Sequence, residues 1–124
     1  MKTRGPNRDS YRRDDPDRRF LQSRLWREKL RPMQLGREPR CEFCKVLDKV
    51  VAAEHVDHIE RPKGDRRLQT SFTNFRSLCA THHGMKSSWE RSGKTKPLVI
   101  GTRLDGWPVT INNEQRDDYD FPVA

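Results

Sequence analysis

The stretch 79-CATHHGMK-86 sets two histidines side by side, three and four residues after a cysteine. Upstream the chain reads 41-CEFC-44, and between the two lies 55-HVDH-58. A tetrahedral metal site of the structural kind wants four sulfur or nitrogen donors. Cys41 and Cys44 offer two from one tight turn, and Cys79 offers a third at the start of a predicted helix. The fourth is expected one helical turn later, which is His82. The spacing therefore predicts a structural zinc bound by Cys41, Cys44, Cys79 and His82. Two alternatives stand beside it: a buried thiol pair with an unrelated third cysteine, or a site completed by water or another residue while His82 faces solvent.

If His82 is spent on zinc, His83 points about 100° away around the helix. Its expected neighbour is the strand that carries Asp57 and His58. A carboxylate with an imidazole suits a divalent cation that keeps open positions for water and substrate. His58, left free beside it, can take a proton from water. His55 shares a strand face with Asp57 by alternation, either as an outer-shell group or as a packed or surface histidine. Read alone, Asp57-His58 would be a capped strand end.

The bulk composition fits a metal-stapled chain. The 124 residues are 31% hydrophobic and 35% charged, too few apolar groups for a large core. Net charge is +8, a balance that attracts phosphate and hence nucleic acid. The excess sits in residues 1–40. Three cysteines are an odd number, which speaks against a closed set of disulfides and for a reducing compartment. No apolar run approaches the ~20 residues a membrane span needs, and the N-terminal residues lack the apolar core of a signal peptide. A cytoplasmic protein with no membrane partner is expected.

Along the chain, 1–15 reads as a flexible basic arm. Residues 16–39 read as an N-terminal helix and linker, with Asp15 as N-cap and Pro16 in the first turn. Pro32, Gly36 and Pro39 are expected to end that helix. A strand is predicted within 50–59, a functional loop over 60–74, a strand or turn over 75–78, and a helix from Cys79 to about Glu90 that sets Met85 and Trp89 on one side. The core that carries the metal-ligand motifs spans 40–92 on this reading. Residues 93–124 are expected to be turns and an acidic tail.

Taken together, CEFC, 56-VDHI-59, 74-NFRSLC-79 and 79-CATHHGMK-86 resemble the HNH endonucleases, which are ββα-metal (His-Me finger) nucleases. The resemblance covers roughly residues 40–90, and His82 stands where the family usually has cysteine. It implies a small α+β fold: a ββα-metal finger with a structural zinc, an N-terminal helix and a basic arm. It also implies a metal-dependent DNA endonuclease, in which His58 is the general base, Asn74 holds the hairpin loop and orients the base, and His83 with Asp57 binds the catalytic ion (Mg, Mn, Ni or Zn). Lys86 has two readings, a phosphate contact or an exposed helix lysine. The flanks, with Ser23, Trp26 and 105-DGWP-108, are similar to small phage HNH proteins encoded beside the terminase, which implies a packaging role in the host cytoplasm and a terminase partner. The competing functions are a non-catalytic zinc module that only binds nucleic acid and an accessory packaging protein.

Overall fold

The computed structural model describes residues 15–94, 96–111 and 119–120. The expected flexibility of the arm falls almost wholly outside these residues, as does most of the acidic tail. Five α-helices are described: α1 (Pro16–Leu21), α2 (Arg31–Arg37), α3 (Glu42–Val46), α4 (Arg66–Thr70) and α5 (Ala80–Arg91). The strands are β1 (His55–His58), β2 (Phe75–Leu78), β3 (Leu98–Thr102), β4 (Pro108–Ile111) and β5 (Tyr119–Asp120).

The finger is the antiparallel pair β1–β2 followed by α5. Its register sets His55 opposite Leu78, Asp57 opposite Arg76 and His58 opposite Phe75. Alternation then gives β1 two different faces. His55 and Asp57 look toward α5, where His55 stacks on His83 and Asp57 meets Lys86. Val56 and His58 look the other way, into an apolar cluster of Phe20, Trp26, Val56 and Phe75. That cluster is supplied largely by the N-terminal segment. A second cluster gathers Cys41, Phe43, Cys44, Leu47, Leu78, Cys79 and Trp89 with Leu98, Ile100, Val109 and Ile111. Met85 packs against it too, so Met85 and Trp89 do share one side of α5.

Three expectations are corrected. First, Pro32 does not end the N-terminal helix. Asp15 caps α1 as expected, accepting from the Asp17 N–H, but the chain then runs through a π-helical stretch, Leu25–Leu30, directly into α2. Pro32 follows the widened π-helical turn, where the regular i to i−4 bond its missing N–H would forfeit is already interrupted. Gly36 lies inside α2. Second, the 60–74 loop is not structureless, since it holds α4 and a short 3-10 turn at Phe72–Asn74. Asp65 caps α4 by accepting from the Arg67 N–H. Third, residues after 93 are not simply turns: β3, β4 and β5 make a three-stranded antiparallel sheet. Its inward residues, Leu98, Ile100, Val109 and Ile111, alternate in sequence and complete the cysteine-side cluster.

Gly101 permits that completion. A Cβ there would lie 2.6 Å from Leu47 Cδ1, and its φ of +155° falls where side chains are rarely found. The sheet can therefore close on Leu47 only at a glycine.

Candidate metal centres and active site

The cysteine half comes first in the chain. Cys41 caps α3, its Sγ accepting from the Cys44 N–H at 3.4 Å. This turn presents both sulfurs to one point. Cys79 precedes α5, and His82 follows one turn on. All four residues are buried, and their donor atoms lie within 4.8 Å of one another. His82 Nδ1 is 3.4 Å from each of the three sulfurs, and Cys44 and Cys79 are 3.9 Å apart. Around a tetrahedral zinc the bond lengths imply about 3.6 Å for N to S and about 3.8 Å for S to S. The four residues therefore fit one such ion, as their spacing predicts.

The ring of His82 is fixed from behind. Its Nε2 lies 2.7 Å from the Ile100 carbonyl. A carbonyl only accepts, so Nε2 carries the hydrogen and Nδ1 turns its lone pair to the thiols. Phe43 meets the ring edge to face at 5.6 Å. The Ile100 contact was invisible in sequence, because a backbone carbonyl has no side-chain signature. Burial, then the neighbouring thiols of Cys41 and Cys79, push Cys44 up to about 12. A cation bound there would take the place of the Cys44 proton.

Across α5 the histidine half is arranged differently. His83 is half-buried and lies face to face with His55, ring centroids 4.4 Å apart and planes 9° from parallel. The buried His83 Nδ1 has no hydrogen-bond partner among the described residues. Burial pulls His83 below the usual histidine range; Asp57 opposes this, while His55 and Lys86 add to it. Lys86 is not an exposed helix lysine, for it is 1% exposed. Its ammonium lies 2.6 Å from Asp57 Oδ2 and 2.6 Å from Glu90 Oε1, and it donates to the His58 carbonyl at 3.3 Å. Burial alone would lower Lys86, but the Asp57 and Glu90 carboxylates more than offset it and hold it above its usual value. The exposed reading of Lys86 is thus corrected to a buried link from α5 to β1.

His58 sits at the end of β1, half-buried. Its Nε2 is 3.1 Å from the Gln69 carbonyl, so Nε2 carries the hydrogen and Nδ1 holds the lone pair. Burial pulls its pKa below the usual histidine range, against the Gln69 bond and the nearby Asp57 and Asp17 carboxylates. Asn74, 7% exposed, spans the mouth of the 60–74 loop. Its Oδ1 accepts from the Glu60 N–H at 2.8 Å, and its Nδ2 donates to the Glu60 and Leu68 carbonyls at 3.0 and 2.9 Å. Beside His58 and Asp57 opens a cleft of about 420 Å³ whose lining mixes Arg18, Arg61 and Arg91 with Asp15, Asp17 and Glu90.

The fold is similar to that of an HNH endonuclease from the deep-sea thermophilic bacteriophage GVE2, crystallised with a manganese ion. The match covers 73% of this chain and 98% of that one at 24% identity, with a TM-score of 0.55. No protein-family model and no curated protein matches the sequence. The chain therefore has the small α+β, ββα-metal fold of that HNH endonuclease, with a buried Cys3His group fit to hold a metal.

Proposed function

We propose that the protein is a metal-dependent DNA endonuclease that hydrolyses phosphodiester bonds, with His58 as general base. The observation that carries this reading is the position of Asp57. Its Oδ1 accepts from the His58 N–H at 3.0 Å, it shares a face of β1 with His55, which stacks on His83, and it lines the cleft with His58. A module that only binds nucleic acid has no use for a half-buried neutral imidazole beside a carboxylate and a second imidazole.

The roles follow from chemistry. Neutral His58 takes a proton from water at Nδ1. The water oxygen attacks phosphorus, the bond from phosphorus to the 3′ oxygen breaks, and that oxygen leaves with a proton from solvent. Asp57 and His83 are an oxygen and nitrogen donor pair suited to Mg, Mn, Ni or Zn, and the His83 Nδ1, without a partner among the described residues, fits a ring kept for a ligand. A cation held there would bind the scissile phosphate and stabilise charge on the leaving oxygen. Asn74 holds the loop whose Gln69 carbonyl orients the base. Cys41, Cys44, Cys79 and His82 hold zinc for the fold alone. DNA is the substrate, and the basic excess of residues 1–40 supplies attraction to its phosphates. A terminase partner and a packaging role rest on the flanking residues alone.

The test is conversion of supercoiled plasmid by chelator-treated protein, with and without added Mn²⁺ or Mg²⁺. Nicked or linear product only with the ion is expected. Plasmid that is retarded in a gel yet intact with every ion would instead favour the binding module.

A further inference from the structure

From α5, Lys86 reaches the His58 carbonyl, while the His58 ring points from the opposite face of β1 into the aromatic cluster. The ring is held by Phe75 of β2 and by residues outside the finger. The Trp26 indole stacks on it, centroids 5.2 Å apart and planes 25° from parallel. Phe75 and Phe20 meet it edge-on at 5.3 and 6.2 Å. The remaining restraint is the Gln69 carbonyl.

Gln69 is itself held by the N-terminal segment. Asp17 Oδ1 accepts from Gln69 Nε2 at 3.1 Å and from the Gly64 N–H at 2.9 Å. Asp17 Oδ2 accepts from the Lys63 N–H at 2.8 Å. One carboxylate on α1 thus grips the 60–74 loop on both sides of the turn that leads into α4. Trp26 is fixed with equal care. It is 3% exposed, its N–H donates to Ser23 Oγ at 3.3 Å, and Ser23 Oγ donates to the Phe20 carbonyl at 2.6 Å. It lies in the π-helical stretch, where the Arg31 N–H reaches back to the Trp26 carbonyl. Such widened turns are frequent at functional sites.

We propose that Trp26 and Asp17 are positioning residues for His58. Trp26 fixes the plane of the ring; Asp17, through Gln69, fixes which nitrogen carries the hydrogen. The N-terminal segment is then part of the active site and not merely an attachment to DNA. This rests on the reading of His58 as general base.

The experiment measures steady-state cleavage of a short duplex with Mn²⁺ for the parent, Asp17→Ala, Trp26→Leu, Trp26→Phe and His58→Ala. Zinc content and circular dichroism of each variant report the fold, and long-range ¹⁵N–¹H spectra report the His58 tautomer. Asp17→Ala and Trp26→Leu should lower kcat roughly 10- to 100-fold, the range typical of lost groups that orient a functional side chain. KM should stay within about twofold, since neither residue is assigned to substrate. Trp26→Phe keeps a flat face and should stay within about threefold of the parent. The Asp17→Ala spectra should show both His58 tautomers where the parent shows the Nε2–H form. Parent-like kcat in Asp17→Ala with a single tautomer, while His58→Ala is inactive, overturns the positioning role and leaves the base intact. Parent-like cutting by His58→Ala overturns the base and the positioning role with it. Should Trp26→Leu lose its fold, Asp17→Ala and its spectra decide.

Discussion

His82 and His83 are neighbours in the chain and belong to different halves of the molecule. The His82 ring is enclosed by three sulfurs, a carbonyl and Phe43. The His83 ring has one parallel imidazole and a ring nitrogen without a partner among the described residues. The cysteine half is a closed knot in which every donor already faces one point. In the histidine half Asp57 and His58 line a cleft and are pinned from outside, Asp57 by Lys86 and His58 by Gln69 and Trp26, while His83 Nδ1 is buried. On the proposed function, closed coordination serves the fold and the restrained donors beside the cleft serve chemistry.

The largest effect that could break this comparison is loss of the knot. If the Cys3His group holds zinc as proposed, Cys79→Ser should remove it and unfold the domain, because zinc binding in small modules supplies folding free energy of roughly 10 kcal/mol. Zinc analysis with circular dichroism checks it; a zinc-free Cys79→Ser protein with the parent's spectrum would mean that the apolar cluster suffices. A smaller effect is expected at the seam between the knot and the C-terminal sheet. Gly101→Ala drives a methyl into Leu47, and such overpacking costs about 1–3 kcal/mol. Its Tm should fall while cleavage per folded molecule is kept.

The smallest effect is a pH dependence of stability. Burial lowers the pKa of His58 in the folded state. As pH falls through the unfolded value of about 6.5, the unfolded chain binds the proton first. The stability due to a neutral His58 is therefore complete above that value and erodes as pH falls on through the lowered folded pKa. Replacing His58 with Gln should flatten the fall in Tm between pH 7 and pH 5, and zinc loss is common to both proteins. An identical fall in both would show that His58 does not carry the dependence.

The finger was legible because its chemistry is local. CEFC and C-x-x-H place donors by turn and helix geometry, and HVDH alternates as a strand must. The three-stranded C-terminal sheet was missed because Gly101, Gly106 and Pro108 read as turn signals, while Leu98, Ile100, Val109 and Ile111 are too few to show a period. The continuity of the N-terminal helices past Pro32 was missed because a proline reads as a stop unless the turn before it is known to widen. Lys86 looked like a surface cation since its partners, Asp57 and Glu90, lie on two elements that only the fold brings together. The grip of Ile100 and Gln69 on the two histidine rings runs through backbone carbonyls, which any residue possesses.

The most direct measurement is a metal titration of plasmid cleavage by His58→Ala beside His83→Ala. Loss of a general base typically costs roughly 100- to 10,000-fold in rate. His58→Ala should bind DNA and zinc like the parent, cut that much more slowly, and gain nothing from added Mn²⁺. His83→Ala should also lose cleavage and regain part of it at high Mn²⁺. Rescue of His58→Ala by the ion would make His58 a ligand, and parent-like cutting by both variants would contradict the nuclease reading outright.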